Sequence, residues 1–483
     1  MRALRLLTVA AGLIPVALVG QVPATPAAPP APPARPALAP RAFAFSGPRM
    51  HFRPPRPPRP FRAPRAPHIH FHRFDQGQSG PDSAGVAALL GSLARTDGSV
   101  CELAVDMLGN GWGWGGRGQV NALRDQGEAV RAQRSTLQYP VRDPRAFPLL
   151  AASLGRSEPC VRRASARLLG GSDAPAAARV LVDGLKHSDP RVREAAALGL
   201  GIGEDSTGYE PLLQALGDRD PEVVRMAAWA VGEYENPGAI PALVRLLGRA
   251  EPGIRAASAG ALGDIEDPAA TRPLLPLLRD RDALVRETTA EALGSLEDST
   301  ATAALIDALG DKDARVRLAV VQALGSLEDR RATQPLIAML RDGDAGVRGA
   351  AAAALGSLED PAALDGLARA IGDTEREVRL QAIEAVGSLD EVHKAPAQLL
   401  AALKDGDREV QHAAIEAAGR IGDPAAVSAL AGLIRSESVE TRRAAVEALA
   451  NVEDETVTPY LVQAMKDKDP EVRRRAAEAL GDR

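Results

Sequence analysis

Leucine returns along this chain with a fixed period of about 31 residues, a length typical of internal repeats. It stands at 150, 181, 212, 243, 274, 305, 336, 367, 399, 430 and 461, at a constant interval except for one inserted residue near His393. A further apolar residue usually follows at the next position and at the fourth, as in Leu274, Leu275 and Leu278. That spacing lays an apolar stripe along one face of a helix, here called helix A. Twenty positions after each Leu comes a second column. It holds Gly at 170, 201, 232, 263, 294, 325, 356, 387 and 419, then Ala450 and Gly481. Eleven units of two helices are predicted over residues 143–483.

Helix B has its own start signal and its own small-residue columns. An acid lies twelve positions before the Gly column in ten of eleven units, for example Asp189, Asp220, Asp313 and Asp469. Pro follows it at 159, 190, 221, 252 and 470. An acidic N-cap with Pro at the first helical position starts a helix for a mechanical reason. Two before the Gly, nine of eleven residues are Ala. Columns of Ala and Gly predict helices that approach closely. Eight before the Gly stands Arg at 162, 193, 255, 286, 317, 348, 379, 442 and 473, with Val224 and Gln411 as exceptions. Six before that column, Asp occurs at 218, 280, 311, 342, 373, 405 and 467.

With these columns the chain resembles the HEAT-repeat family, and within it the short-repeat, phycobilisome-lyase-like branch. The resemblance implies an all-α solenoid in which the Asp and Arg columns link each unit to the next and helix B lines the concave side. A unit of this kind cannot bury its stripe alone, so stability is expected to come from stacked neighbours. Composition agrees: hydrophobic residues make up 45% of the chain but aromatics only 3%, so Ala, Leu and Val have to build thin layers.

Residues 1–142 depart from the repeat. Arg2 and Arg5 precede an apolar stretch, Leu6–Gly20, and Val22-Pro23-Ala24 offers a small-residue cleavage site. Residues 1–24 are therefore expected to be a signal peptide, giving a periplasmic or secreted protein with no transmembrane span after cleavage. An uncleaved inner-membrane anchor is the alternative. Residues 25–80 read as a Pro/Arg-rich disordered linker, a stiff spacer or a contact for an anionic envelope surface. Residues 1–75 carry +10 and the remainder −15, a balance that repels nucleic acid over most of the surface. Residues 81–142 are expected to form atypical N-terminal capping repeats with a Gly/Trp loop. Leu89, Leu90 and Leu93 fit a helix A stripe there, and Gly109 fits the Gly column. Residues 110–142 contain Gly111-Trp112-Gly113-Trp114-Gly115-Gly116 and read either as a loop or as a degenerate repeat.

Signals for chemistry are few. Gly111, Gly113 and Gly116 satisfy a GxGxxG pattern, but the segment before them reads as helix, and the dinucleotide fingerprint needs a strand there. His68, His70 and His72 alternate, a weak and opportunistic metal motif. The family includes a di-iron hydroxylase with paired His-Glu motifs; this sequence has no His-Glu dipeptide. No nucleophile motif and no cofactor is expected. Cys101 and Cys160 bond only if residues 110–142 loop out and leave the two on adjacent layers.

What remains is a surface. Removing the buried columns of helix B leaves the residues seven and three before each Gly, an i, i+4 pair. The pairs in the middle of the chain are expected to hold a macromolecular partner: Arg225 and Trp229, Glu287 and Glu291, Leu318 and Gln322, Leu380 and Glu384. Leu318 and Leu380 read as exposed apolar residues, Trp229 as an anchor type. The glutamates favour a protein partner with basic residues. The expected function is an exported protein-interaction scaffold. The alternatives are a metal-dependent oxidoreductase of the same family and a binder of envelope glycan or lipid phosphate through Trp112, Trp114 and the Arg-rich linker.

Overall fold

A computed structural model describes residues 81–95, 140–389 and 392–481, all within the unit Pro58–Arg483. Among the described residues there is no strand. The helix B of successive units are α1 (Pro159–Gly170), α2 (Pro190–Gly203), α3 (Pro221–Glu233), α4 (Pro252–Asp264), α5 (Ala283–Ser295), α6 (Ala314–Ser326), α7 (Ala345–Leu358), α8 (Arg376–Ser388), α9 (Arg408–Ile421), α10 (Val439–Ala450) and α11 (Pro470–Gly481). A shorter helix A precedes each one, often entered through a single turn of 3-10 helix such as Pro237–Ala239 or Ser299–Ala301.

The helix starts follow the expected chemistry, with one refinement. Asp189, Asp220, Asp282, Asp313, Asp344 and Asp407 accept backbone N–H bonds from the first turn of helix B. Glu158, Glu251 and Glu375 stand at the same position without a capping bond. The extra methylene carries their carboxylate past the N–H groups, and Asp is the better cap. In the fifth unit Pro276 cannot donate to the helix ladder, so Leu275–Arg279 tightens to 3-10 geometry.

The core is the helix A leucine column. Leu150, Leu181, Leu212, Leu243, Leu274, Leu305, Leu336, Leu367, Leu399, Leu430 and Leu461 are all buried to within 1%. The two small-residue columns of helix B turn out to be partners of each other. A β-carbon placed on Gly232 would meet the Ala261 Cα at 2.7 Å, and one on Gly294 the Ala323 Cα at 2.9 Å. The Gly of one unit thus receives the Ala of the next. Successive helix B pack along their lengths, whereas successive helix A touch much less. The helix B layer is therefore the more tightly packed of the two.

The ionic columns join the layers. Arg286 donates Nε to Asp311 Oδ2 at 2.7 Å and Nη2 to Oδ1 at 2.9 Å, while its Nη1 reaches the Asp280 carbonyl at 2.8 Å. The same fork joins Arg193 to Asp218, Arg255 to Asp280, Arg317 to Asp342, Arg348 to Asp373, Arg379 to Asp405 and Arg442 to Asp467. Every Asp of its column is so bound. Where Arg is replaced, by Val224 or Gln411, the position that would hold the next unit's Asp is also replaced, by Arg249 or Ser436. At these two junctions both halves of the rung are absent, and a half rung there would bury an unpaired charge. At the first junction, where His187 stands in the Asp column, Arg162 is only half-buried and its Nη1 donates to the Arg156 and Ser157 carbonyls.

Helix Ser83–Leu93 buries Val86, Leu89, Leu90 and Leu93 and packs directly on the helix Ala146–Ser153 and on α1. Among the described residues no layer stands between them. Cys160 is disulfide-bonded; the one other cysteine, Cys101, lies outside the described residues, as do the Gly/Trp segment, the three clustered histidines, the linker and the leader.

Candidate interaction surface

Along each helix B the accessible side chains lie on one stripe. Past the first turn, the residues three before and one after the Gly column are the most open, exposed on some helices and half-buried on the others. Glu291, Gln322, Glu384, Glu416 and Glu447 are exposed in the first set, Asp264, Ser295 and Ser326 in the second. The residues seven before are more covered, because the next helix B approaches that side. This corrects part of the sequence reading. Leu318 and Leu380 are half-buried and packed against the core, and Ala256 and Gly349 are buried outright.

The eight residues singled out from sequence fall on four helices. Arg225 and Trp229 belong to α3, Glu287 and Glu291 to α5, Leu318 and Gln322 to α6, and Leu380 and Glu384 to α8. Arg225 donates Nε to Glu222 at 2.7 Å and lies 3.8 Å from Glu194. Trp229 is half-buried over α2, its Cζ3 2.8 Å from the point where a β-carbon on Gly201 would stand. The anchor is thus fixed in place, and it also carries packing. Gln381 donates Nε2 to Glu384 at 3.3 Å.

These four helices flank two that are nearly bare. On α4 the stripe reads Gly253, Ala256, Gly260, Asp264, and on α7 it reads Gly346, Gly349, Ala353, Ser357. The result is a pair of shallow troughs, one between α3 and α5 and one between α6 and α8. The first is acidic at the end where its helices finish. Glu233 closes α3 and Asp264 closes α4, each one position past its Gly. Sequence reasoning stopped at the Gly column and missed both, although each lies four positions beyond a stripe residue, Trp229 or Gly260.

The electrostatics of this end are set by crowding. Burial, then Asp264, Glu204 and Glu235, push the Glu233 carboxyl up to about 8. Loss of water, then Glu235, raises Asp264 to about 6. Loss of water, then Glu287 and Asp264, raises Glu291 to about 7. Asp264 and Glu291 still touch solvent, but the helices on either side displace much of it. Among the described residues none of the three forms an ion pair.

Comparison with known proteins fits this architecture. A HEAT-repeat profile matches residues 118–206, 209–293, 271–356, 333–399 and 395–481. The matches cover well over half of the chain, which therefore belongs to the HEAT-repeat family. A comparison with curated proteins found no match. Among solved structures, the one in which Kap95p binding induces the switch loops of RanGDP to adopt the GTP-bound conformation contains a chain similar at 14% identity, covering 83% of this chain and 66% of that one, with TM-score 0.48. Importin beta in an ammonium sulfate condition is similar at 15% identity, with 82% and 69% covered and TM-score 0.48. An engineered protein is similar at 23% identity, with 70% and 98% covered and TM-score 0.37. This chain therefore spans about two thirds of the first of these chains. Among the described residues no helix is long and apolar enough to cross a membrane, and no three ligating groups are placed to hold a metal ion.

Proposed function

We propose that this HEAT-repeat protein is an exported scaffold that holds an extended segment of a partner protein along the helix B stripe. The observation that carries this is the division of labour within helix B. One side is spent on the Gly–Ala contacts and the Arg–Asp rungs, and the other leaves a stripe of exposed or half-buried positions that recurs from layer to layer. A stripe of that kind suits a linear partner better than a small molecule. Two observations support export: the Arg2, Arg5 and Leu6–Gly20 leader pattern, and the disulfide at Cys160, a bond favoured outside the reducing cytosol. The short, constant interval between the Leu and Gly columns supports placement in the short-repeat branch of the family.

The test compares two double variants in crosslinking and co-purification from the native source. Glu291→Lys with Glu384→Lys changes exposed positions, where substitutions cost within about 0.5 kcal/mol. It should lose the partner and keep its melting temperature. Leu305→Ala with Leu336→Ala empties the core and should lose roughly 2–5 kcal/mol per leucine. Retention of the partner by the charge-reversed protein defeats the assignment. Full-length protein in the cytosol, with its first ~20–28 residues still present, defeats export.

A further inference from the structure

Where each helix B ends and the next helix A begins, the layers present one edge. Glu-Asp recurs along it at 204–205, 266–267, 297–298, 328–329 and 359–360, with Glu235-Asn236 in the same place. The six glutamates are exposed and share one backbone conformation. At two gaps between layers this edge already holds a guanidinium. Arg330 donates Nη2 to the Glu359 carbonyl of the next layer at 2.8 Å and Nε to the Leu358 carbonyl at 3.4 Å. Leu358 ends α7, and the last carbonyls of a helix have no partner within it. Arg331 reaches the other way, donating Nη2 to the Ser299 carbonyl at 2.8 Å and Nε to Asp329 Oδ2 at 2.7 Å. The three gaps before these are lined by acids of the same columns and lack such a cation. The Arg330 position there holds Ser206, Pro237 and Pro268, and the Arg331 position holds Gly238, Ala269 and Thr300.

The chain itself carries the complement. Arg53, Arg56, Arg59, Arg62 and Arg65 recur at every third residue of a proline-rich run. A polyproline II chain turns once in three residues and advances about 9 Å per turn. Arginines in that register share one side, at the ~8–10 Å spacing of packed helices. The chain also enters the solenoid at this edge. Ser83 donates its N–H to Asp143 Oδ2 at 2.8 Å, and Asp143 stands two repeats before Asp205, in the same column. From Asp143 to the gap at Glu235 is three layers, about 24–30 Å. Residues 66–80 cover about 45 Å when extended, so the arginines reach.

We propose that Arg65, Arg62 and Arg59 dock on this edge of their own chain, in that order, at the gaps closed by Glu235, Glu266 and Glu297. The surface is distinct from the helix B stripe, and the docking does not depend on the scaffold reading. Docked, these arginines are withheld from any anionic surface outside the protein.

The test uses the full chain with Phe61→p-benzoylphenylalanine, a photocrosslinker between Arg59 and Arg62, mapped by mass spectrometry after irradiation. Crosslinks should fall within residues 264–272 and 295–302. In an equal mixture of heavy- and light-isotope protein they should stay within one copy. Glu235→Gln with Glu266→Gln and Glu297→Gln should reduce them roughly fivefold or more, as should Arg59→Gln with Arg62→Gln and Arg65→Gln, which leaves the solenoid untouched. Glu416→Gln with Glu447→Gln removes charge from the helix B stripe and should leave them within about twofold. Far-ultraviolet circular dichroism confirms that each variant is folded. Equal losses in the two glutamate sets, crosslinks elsewhere on the chain or only between copies, or crosslinks only to lipid when phosphatidylglycerol vesicles are added, overturn the docking.

Discussion

The Cα of Ala292 lies 2.7 Å from where a β-carbon on Gly263 would stand, and the Ala292 carbonyl oxygen 3.4 Å from it. Both near atoms are backbone, so neither can swing aside. Gly263→Ala should therefore destabilise the protein, although Ala is the better helix former by about 1 kcal/mol. The expected loss is about 1–3 kcal/mol, the cost of overpacking a close contact. Gly310→Ala is the control, since nothing lies within 4 Å of that position. Urea unfolding of the two variants checks the contrast.

Breaking one rung of the ionic ladder should cost more than removing it. Arg286→Ala leaves the Asp311 carboxylate, 12% exposed, without its fork, and should lose about 3–5 kcal/mol. Arg286→Gln with Asp311→Ser copies the junction that occurs naturally at Gln411 and Ser436, where Gln411 donates Nε2 to the Leu403 carbonyl at 2.8 Å. The double variant should recover part of the loss. A double-mutant cycle from denaturant unfolding measures the difference.

Six glutamates hold the left-handed conformation after helix B: Glu204, Glu235, Glu266, Glu297, Glu328 and Glu359, with φ between 46° and 55°. Gly422 occupies the same position at φ 61°, where no β-carbon opposes it. Glu328→Gly and Glu359→Gly should each stabilise by about 0.5–1 kcal/mol, since relief of strain exceeds the entropy gained by the unfolded chain. Differential scanning calorimetry should show a higher melting temperature for the pair.

The crowded acids give stability an inverted pH dependence. Glu233, Asp264 and Glu291 have raised values when folded, so the folded chain binds more protons than the unfolded one between pH ~4 and ~8. Their contribution is fully present below the unfolded values and is lost as pH rises through about 8. The ladder acts in the opposite sense. The Arg317 fork holds Asp342, and the Arg348 fork Asp373, below the ordinary carboxylate range, and their contribution is lost as pH falls. Glu233→Gln should therefore flatten the decline in melting temperature above neutrality and leave the acid limb unchanged.

Much of this protein was written in its sequence. One interval, repeated eleven times, identifies the solenoid, because the same local pattern can bury its stripe only against copies of itself. The Leu column named the core, and the Arg and Asp columns named the partners of the ladder. The sequence could not say that the Gly of one unit receives the Ala of the next, since that pairing depends on how far successive helices slide past each other. Nor could it rank exposure along helix B. Leu318 and Leu380 looked open because packing leaves their column free to vary, yet the neighbouring helix covers them. Asp264 and Glu291 belong to different units, and only the stacking of α4 on α5 sets their carboxylates against one another. Local pattern is repeated in every unit and so was legible. The acidic trough occurs once, where three particular units meet, and coupling across layers is a property of tertiary structure.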